Sequence, residues 1–466
     1  MSLEANQSTA PRSNFATIMI FLIPSLIGVF LFMTPINYGG EFTIPIAILA
    51  KELKGALAHS ITLIVTSVIV SMAVISGLAT LFKPKFLKAG SFVRHLLIVS
   101  PIWLVARTLG AIFVLMAYLK VGTFSIGDTK IEIHSDAVGG LVLHELMPIL
   151  FSVFILAGLL LPLLLNFGLL ELVGTLLTKV MRPLFGVPGR SAVNCVASWL
   201  GDGSVGILMT AKQYEEKHYT QREAAIIGTT FSAVSITFCL VVIGQVKLAH
   251  LFAPFYLTVC MAGIAAALIV PRLPPLRFKK DIYIDGEEVK GNPEALPEGK
   301  TLFKHSLDVA LDKARHAQTI KETLIDGLKN AVDMVFAVLP VVMAIGTIAL
   351  VIAEYTPVFQ WLGTPFIPLF ELMQIPEAEK AAQTVVVGFA DMFIPSILAA
   401  QNINSELTRF VVAAMSVTQL IYMSEVGALL LGSKIPVNIF ELFMIFILRT
   451  LVTLPVIALM GHWLVG

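Results

Sequence analysis

Asp202 stands between Gly201 and Gly203 in the run SWLGDGSVGILM, with Ser204 behind it, and Asp391 stands in GFADMFIP. Further on, Thr418, Tyr422 and Glu425 recur at i, i+4 and i+7, the spacing that puts three side chains on one face of a helix. Gln419 and Ser424 flank them. Arg107 and Arg449 each lie deep in an otherwise apolar span. Ionisable groups at mid-bilayer cost about 2.5–3.5 kcal/mol each on insertion scales, so these positions are functional candidates. A carboxylate among hydroxyls can coordinate a sodium ion or take up a proton. A guanidinium fork can hold a carboxylate through two parallel hydrogen bonds.

Structural alternatives stand beside each reading. Asp202 can cap the half-helix that follows it. Arg107 and Arg449 can be neutralised by Asp202, Asp391 or Glu425. Hydroxyls such as Thr229 and Ser416 can simply hold helices together in lipid.

These residues sit in a chain of 466, of which 57% are hydrophobic and only 14% charged, with a mean hydropathy of +0.87. Soluble domains carry about 25% charged residues. The deficit, together with many apolar runs near twenty residues, implies an all-α polytopic membrane protein. A net charge of +1 gives nucleic acid little to bind. Cys195, Cys239 and Cys260 have no metal or CxxC spacing and read as small core residues.

An enzyme is not expected. His144-Glu145-Leu146-Met147-Pro148 lacks the second histidine of HExxH, and Gly299-Lys300-Thr301 lacks the earlier glycine of a phosphate loop, Glu294 standing there. A sodium ion is the one cofactor the polar residues invite.

Hydropathy gives nine full spans, at about 15–35, 57–83, 96–119, 147–165, 222–246, 251–271, 331–353, 407–431 and 438–464. Two further stretches, about 191–211 and 381–400, are apolar but broken near their middles. Three more, about 41–56, 167–185 and 357–373, are amphipathic and fit the membrane surface. Lysine and arginine cluster in the loops around residues 83–94, 179–190, 212–222 and 272–280, which places the N-terminus in the cytoplasm. Lys51 and Lys54 disagree with that topology. The segment 272–330 reads as a linker followed by an amphipathic helix.

The two halves share a register. Gly201 and Gly388 stand 187 residues apart, as do Arg222 and Arg409. Thr229, Ser232 and Ser235 meet Ser416, Gln419 and Tyr422 at the same offset. With three full spans in each unit, the second copy enters the membrane upside down relative to the first. Inverted repeats with broken helices near the midplane characterise secondary transporters. Two half-helices split by GDGS can enter and leave by one face, where bare peptide groups are tolerable only beside a wet cavity. The expected organisation is a scaffold over 1–145, a first repeat over 146–271, a cytoplasmic linker over 272–330 and an inverted second repeat over 331–466.

The stretches GRSAVNCVASWLGDGSVGILM and VVVGFADMFIPSILAAQ resemble the paired nucleoside-recognition, or Gate, segments of a broad bacterial membrane group. That group includes the YjiH-like proteins, which are the nearest in pattern, the concentrative nucleoside transporters and the membrane part of the ferrous-iron permease. The resemblance covers roughly residues 145–466 and implies a two-hairpin transport core with nucleoside as a candidate solute. Two departures qualify it. The permease's GTP-binding domain is absent from this sequence, and the hairpin tip reads GDGS where the nucleoside transporters carry a glutamine-threonine-glutamate triplet.

The resulting expectation is an ion-coupled transporter, using Na⁺ or H⁺, of a small polar metabolite across a bacterial inner membrane. The solute would be a nucleoside or a carboxylate-bearing molecule. Asp202, Gly203, Ser204, Asp391, Gln419, Arg449 and Arg107 would meet substrate, and Glu425, Tyr422, Thr418 and Ser232 would couple the ion. Expected partners are the bilayer, the solute and further copies of the chain, with a second small membrane subunit as an additional one. The alternative is a non-transporting scaffold or sensing partner that keeps the same architecture.

Overall fold

The computed structural model describes residues 14–34, 36–38, 41–84, 91–126, 129–200, 203–231, 234, 236–289 and 301–465. It is mostly helical, and among the described residues seven helices are long and apolar enough to cross a membrane: Phe15–Met33, Ile61–Phe82, Pro101–Leu119, Gly139–Leu165, Ala249–Arg272, Ile320–Tyr355 and Ile439–Leu464. Two short antiparallel hairpins, Ile36–Tyr38 with Glu41–Thr43 and Thr123–Ile126 with Thr129–Glu132, interrupt the otherwise helical order.

Nine unbroken spans were expected, and two of them are interrupted near their middles. Residues 222–246 form a helix from Gln221 that passes into a π turn at Ile227–Phe231 and resumes as a separate helix at Ile236–Gln245. Residues 407–431 form Glu406–Gln419 and Val426–Gly432, with 420–425 outside any helix. The second break is marked by Leu420, which takes a left-handed conformation at φ 61°. An apolar side chain rarely does so without strong support from its surroundings. The proposed face of Thr418, Tyr422 and Glu425 therefore does not exist as a helical stripe. Thr418 ends one helix, and the other two lie in the non-helical segment.

The breaks fall at matching places in the two halves, and so does a second irregularity. A π turn at Val142–Leu146 precedes Met147–Leu165, and another at Met334–Val338 precedes Leu339–Tyr355. Each is followed by a proline one residue into the next helix, Pro148 and Pro340. Proline has no N–H to give the carbonyl four residues back, and a widened turn absorbs the misfit. These turns extend both helices toward the N-terminus of the expected spans, to Gly139 and Ile320.

Small residues let the long helices approach. A Cβ on Gly158 would meet the Ala331 backbone at 2.5 Å, and one on Gly327 would meet the Leu159 carbonyl at 2.5 Å. Such contacts replace the hydrophobic drive that lipid cannot supply. Gly110 likewise admits the Pro340 carbonyl, fastening the helix Pro101–Leu119 to Leu339–Tyr355. The linker's amphipathic helix, Leu302–Arg315, buries Ala310 and Ala314 against Phe21 of the first helix. The next helix, from Ile320, is continuous with the membrane span.

Candidate functional site at the broken helices

Both stretches expected to be split are split. In the first, Ser191–Leu200 and Gly203–Glu215 lie side by side. Asn194 donates from Nδ2 to Thr210 Oγ1 at 3.0 Å, and Gln213 Nε2 donates to Asn194 Oδ1 at 2.8 Å. Gly206 leaves room for Ser198, whose Cβ would be 2.7 Å from an added methyl. Gly203 opens the second arm and Ser204 is buried in it. Asp202 and Ser232 lie outside the described residues.

In the second stretch, Ala378–Val385 continues through a tight turn at Val386–Phe389, and the chain resumes helix at Ile394–Asn402. Asp391 Oδ1 accepts from the Phe393 N–H at 2.8 Å, which shapes the link. This link is joined to the second broken helix by main-chain bonds. The Met423 N–H donates to the Phe389 carbonyl at 2.7 Å, and the Ser424 N–H donates to the Ala390 carbonyl at 2.9 Å. Ser424 Oγ adds a bond to Asp391 Oδ2 at 2.6 Å. Peptide groups freed by the helix break are thus satisfied by the neighbouring tip, the condition for irregular backbone at membrane depth.

Gln419, at the end of its half-helix, donates from Nε2 to the Val385 carbonyl at 3.1 Å and to Thr450 Oγ1 at 2.9 Å. Its Oε1 is buried, has no partner among the described residues, and abuts Gly388, where a methyl group would overlap it. Gly388 therefore serves close approach, and the residue approaching is Gln419. Tyr422 donates to Glu425 Oε2 at 3.3 Å. Thr418 turns its hydroxyl back to the Ala414 and Met415 carbonyls, at 2.9 and 3.1 Å.

Arg449 links the two broken helices. It projects from Ile439–Leu464, is 1% exposed, and donates to the Thr418 carbonyl from Nε at 3.2 Å and Nη2 at 2.9 Å. Its Nη1 reaches the Thr229 and Thr230 carbonyls, both at 3.4 Å. Thr418 and Thr229–Thr230 end the leading halves of the two broken helices. Each helix C-terminus carries about half a negative charge, so two such ends offset one guanidinium. The described bonds of Arg449 go to main-chain oxygens, an arrangement between the substrate clamp and the carboxylate pair weighed from the sequence.

Arg107 lies elsewhere. Its Nη1 donates to Ser76 Oγ at 2.9 Å and to the Leu96 carbonyl at 2.8 Å, within the scaffold. Of the residues singled out in the sequence, the structure thus gathers Asp391, Thr418, Gln419, Tyr422, Glu425 and Arg449, and sets Arg107 apart. Sequence reasoning missed Thr230, Thr450 and the Phe389 and Ala390 carbonyls. Thr450 was accessible as the hydroxyl beside a deep arginine, whereas main-chain acceptors leave no mark on composition.

Comparison with known proteins fits this geometry. The family model Gate, described as nucleoside recognition, matches residues 147–249, from the helix Met147–Leu165 through the split stretch to the end of Ile236–Gln245 and a few residues beyond. An uncharacterized protein of Alkalihalophilus pseudofirmus is 48% identical over 442 residues, covering 95% of this chain and 94% of that protein. No solved structure matches the chain.

Proposed function

We propose that this chain, which belongs to one family with the Alkalihalophilus pseudofirmus protein and carries a Gate domain, is an ion-coupled secondary transporter of a small polar metabolite. The observation that carries the reading is the meeting of two helix ends, one from each half, on Arg449. Discontinuous helices paired in this way are the means by which transporters present peptide dipoles to a solute or ion near the midplane.

In this proposal the solute sits beside the tip 386–393 and the break 420–425, with Asp391 and Gln419 turned toward it. The first hairpin contributes Asp202, Gly203 and Ser204 from the other repeat. Glu425 with Tyr422 accepts the driving ion, Na⁺ or H⁺, near Thr418 and Ser232. Both hairpins re-enter the membrane without crossing it. The second hairpin and its broken helix move as one piece, because two main-chain bonds and the Ser424–Asp391 bond tie them. The opposing wall is the scaffold of residues 1–145. A place in the bacterial cytoplasmic membrane with the N-terminus inside, kinship with the YjiH-like proteins, and a nucleoside or carboxylate-bearing solute complete the proposal.

Uptake into proteoliposomes tests it, with a metabolite mixture outside and a Na⁺ or H⁺ gradient imposed. At least one solute accumulates, and Asp391→Asn with Glu425→Gln abolishes its accumulation. If no solute moves, and Asp202→Asn with Glu425→Gln leaves cellular activity intact, the protein is a scaffold and the transport reading fails.

A further inference from the structure

Away from Arg449, a cavity of about 340 Å³ opens between the N-terminal scaffold, the second arm of the first hairpin, the helix Ile320–Tyr355 and the end of Val426–Gly432. Its walls collect charges from elements far apart in the chain. Two pairs there neutralise one another: Lys434 lies 3.3 Å from Glu215, and Lys329 lies 3.3 Å from Asp326. Lys212 is 3.7 Å from Glu216. Arg107, Asn330 and Asp333 remain.

Arg107 is 4% exposed, and its Nε is buried without an acceptor among the described residues although Nη1 is well bonded. Asn330 is 7% exposed and lines the same cavity, and among the described residues its side-chain amide has no hydrogen bond. Asp333 lines the cavity as well and joins no ion pair among the described residues. Buried polar groups are normally satisfied, and those that are not, when they line a cavity, mark where a ligand's polar atoms fit. The wall thus offers donors for an anion at Arg107 and Asn330 and, one helical turn beyond Asn330, a carboxylate for a cation at Asp333. Trp103, Leu96 and Val341 add apolar wall.

We propose that this cavity binds a small zwitterionic metabolite of amino-acid size, its carboxylate on Arg107 and Asn330 and its ammonium on Asp333. The volume is at the small end of ligand pockets, which run from about 300 to 1,000 Å³. The site is separate from the Arg449 crossing and does not depend on the transport reading.

The test is equilibrium binding to the full chain in nanodiscs with no gradient, read by calorimetry. The probes are L-leucine, L-glutamine, glycine and glycylglycine. Leucine stripped of one end, as 4-methylpentanoate or 3-methylbutylamine, gives the one-ended controls. At least one zwitterion binds, with leucine or its equivalent at least tenfold tighter than either one-ended form. Asp333→Asn and Asn330→Ala each weaken it at least tenfold at unchanged melting temperature. These two variants carry the test because Arg107 also bonds the Leu96 carbonyl, so its replacement can disturb the fold. Absence of binding by all four zwitterions, equal binding of a one-ended form, or full binding by both folded variants overturns the proposal. Failed uptake in proteoliposomes would sink the transport reading and leave this result untouched.

Discussion

Arg449 and Thr418 are joined twice, from Nε and from Nη2, to the same main-chain oxygen, at 3.2 and 2.9 Å. The remaining terminal nitrogen spans to Thr229 and Thr230, so one side chain bridges two helix ends. Lysine keeps the charge but is a point donor on a flexible stem. Arg449→Lys is expected to insert normally and to lose at least tenfold in solute uptake. Arg449→Met leaves buried carbonyls without donors, at about 1–3 kcal/mol each, and is expected to melt lower still. Uptake and thermal unfolding of the purified variants check both.

Gly388 and Gln419 compete for one space. Gly388→Ala is expected to destabilise the chain by about 1–3 kcal/mol, as overpacking of a filled interior does. Gln419→Ala removes the obstructing oxygen. The double variant is therefore expected to recover at least about 1 kcal/mol relative to the sum of the singles, since residues in contact couple. Additive losses in a double-mutant cycle would show that the two do not meet.

Ser424 and Asp391 share the shortest side-chain bond at the tip, 2.6 Å. A hydrogen bond to a charged group contributes about 1.5–3 kcal/mol. Ser424→Ala is expected to loosen the tip and lower uptake, with Asp391→Asn the more damaging because it also alters the group that accepts from Phe393. Hydrogen exchange at the Met423 and Ser424 amides, faster in both variants, is the direct check.

Glu377 anchors the turn between the second hairpin and the broken helix. Its carboxyl is held down to about 2, chiefly by its bond with Lys380 and then by the Ser405 and Asn404 N–H groups. A depressed carboxylate stabilises the fold above its ordinary value of 4.5, and that contribution disappears as pH falls through about 2. The stability difference between the native chain and Glu377→Gln should be constant above about pH 5, shrink below that, and vanish near pH 2. A difference that grows toward acid pH would contradict the assignment.

Much of this fold was legible in the sequence because glycine, aspartate and proline punctuate it. Gly201-Asp202-Gly203 and Gly388 mark the two split stretches, and the matched polar positions mark the repeat. The helix breaks were not legible. Leu420, Ile421, Tyr422 and Met423 are as apolar as the helix they interrupt, so hydropathy runs straight through them. What opens the helix is a set of carbonyls at Phe389 and Ala390, supplied from about thirty residues upstream. The depth of Arg449 was plain from its position, while its acceptors belong to the main chain and carry no residue-type pattern.

The bonds from Met423 and Ser424 to Phe389 and Ala390 are made wholly by peptide groups. Any side chain of tolerable size preserves them, and among natural residues proline alone removes the donor. Relatives can accordingly diverge in the side chains around this latch while it stays shut, so a shared fold within this family does not by itself fix what its members bind.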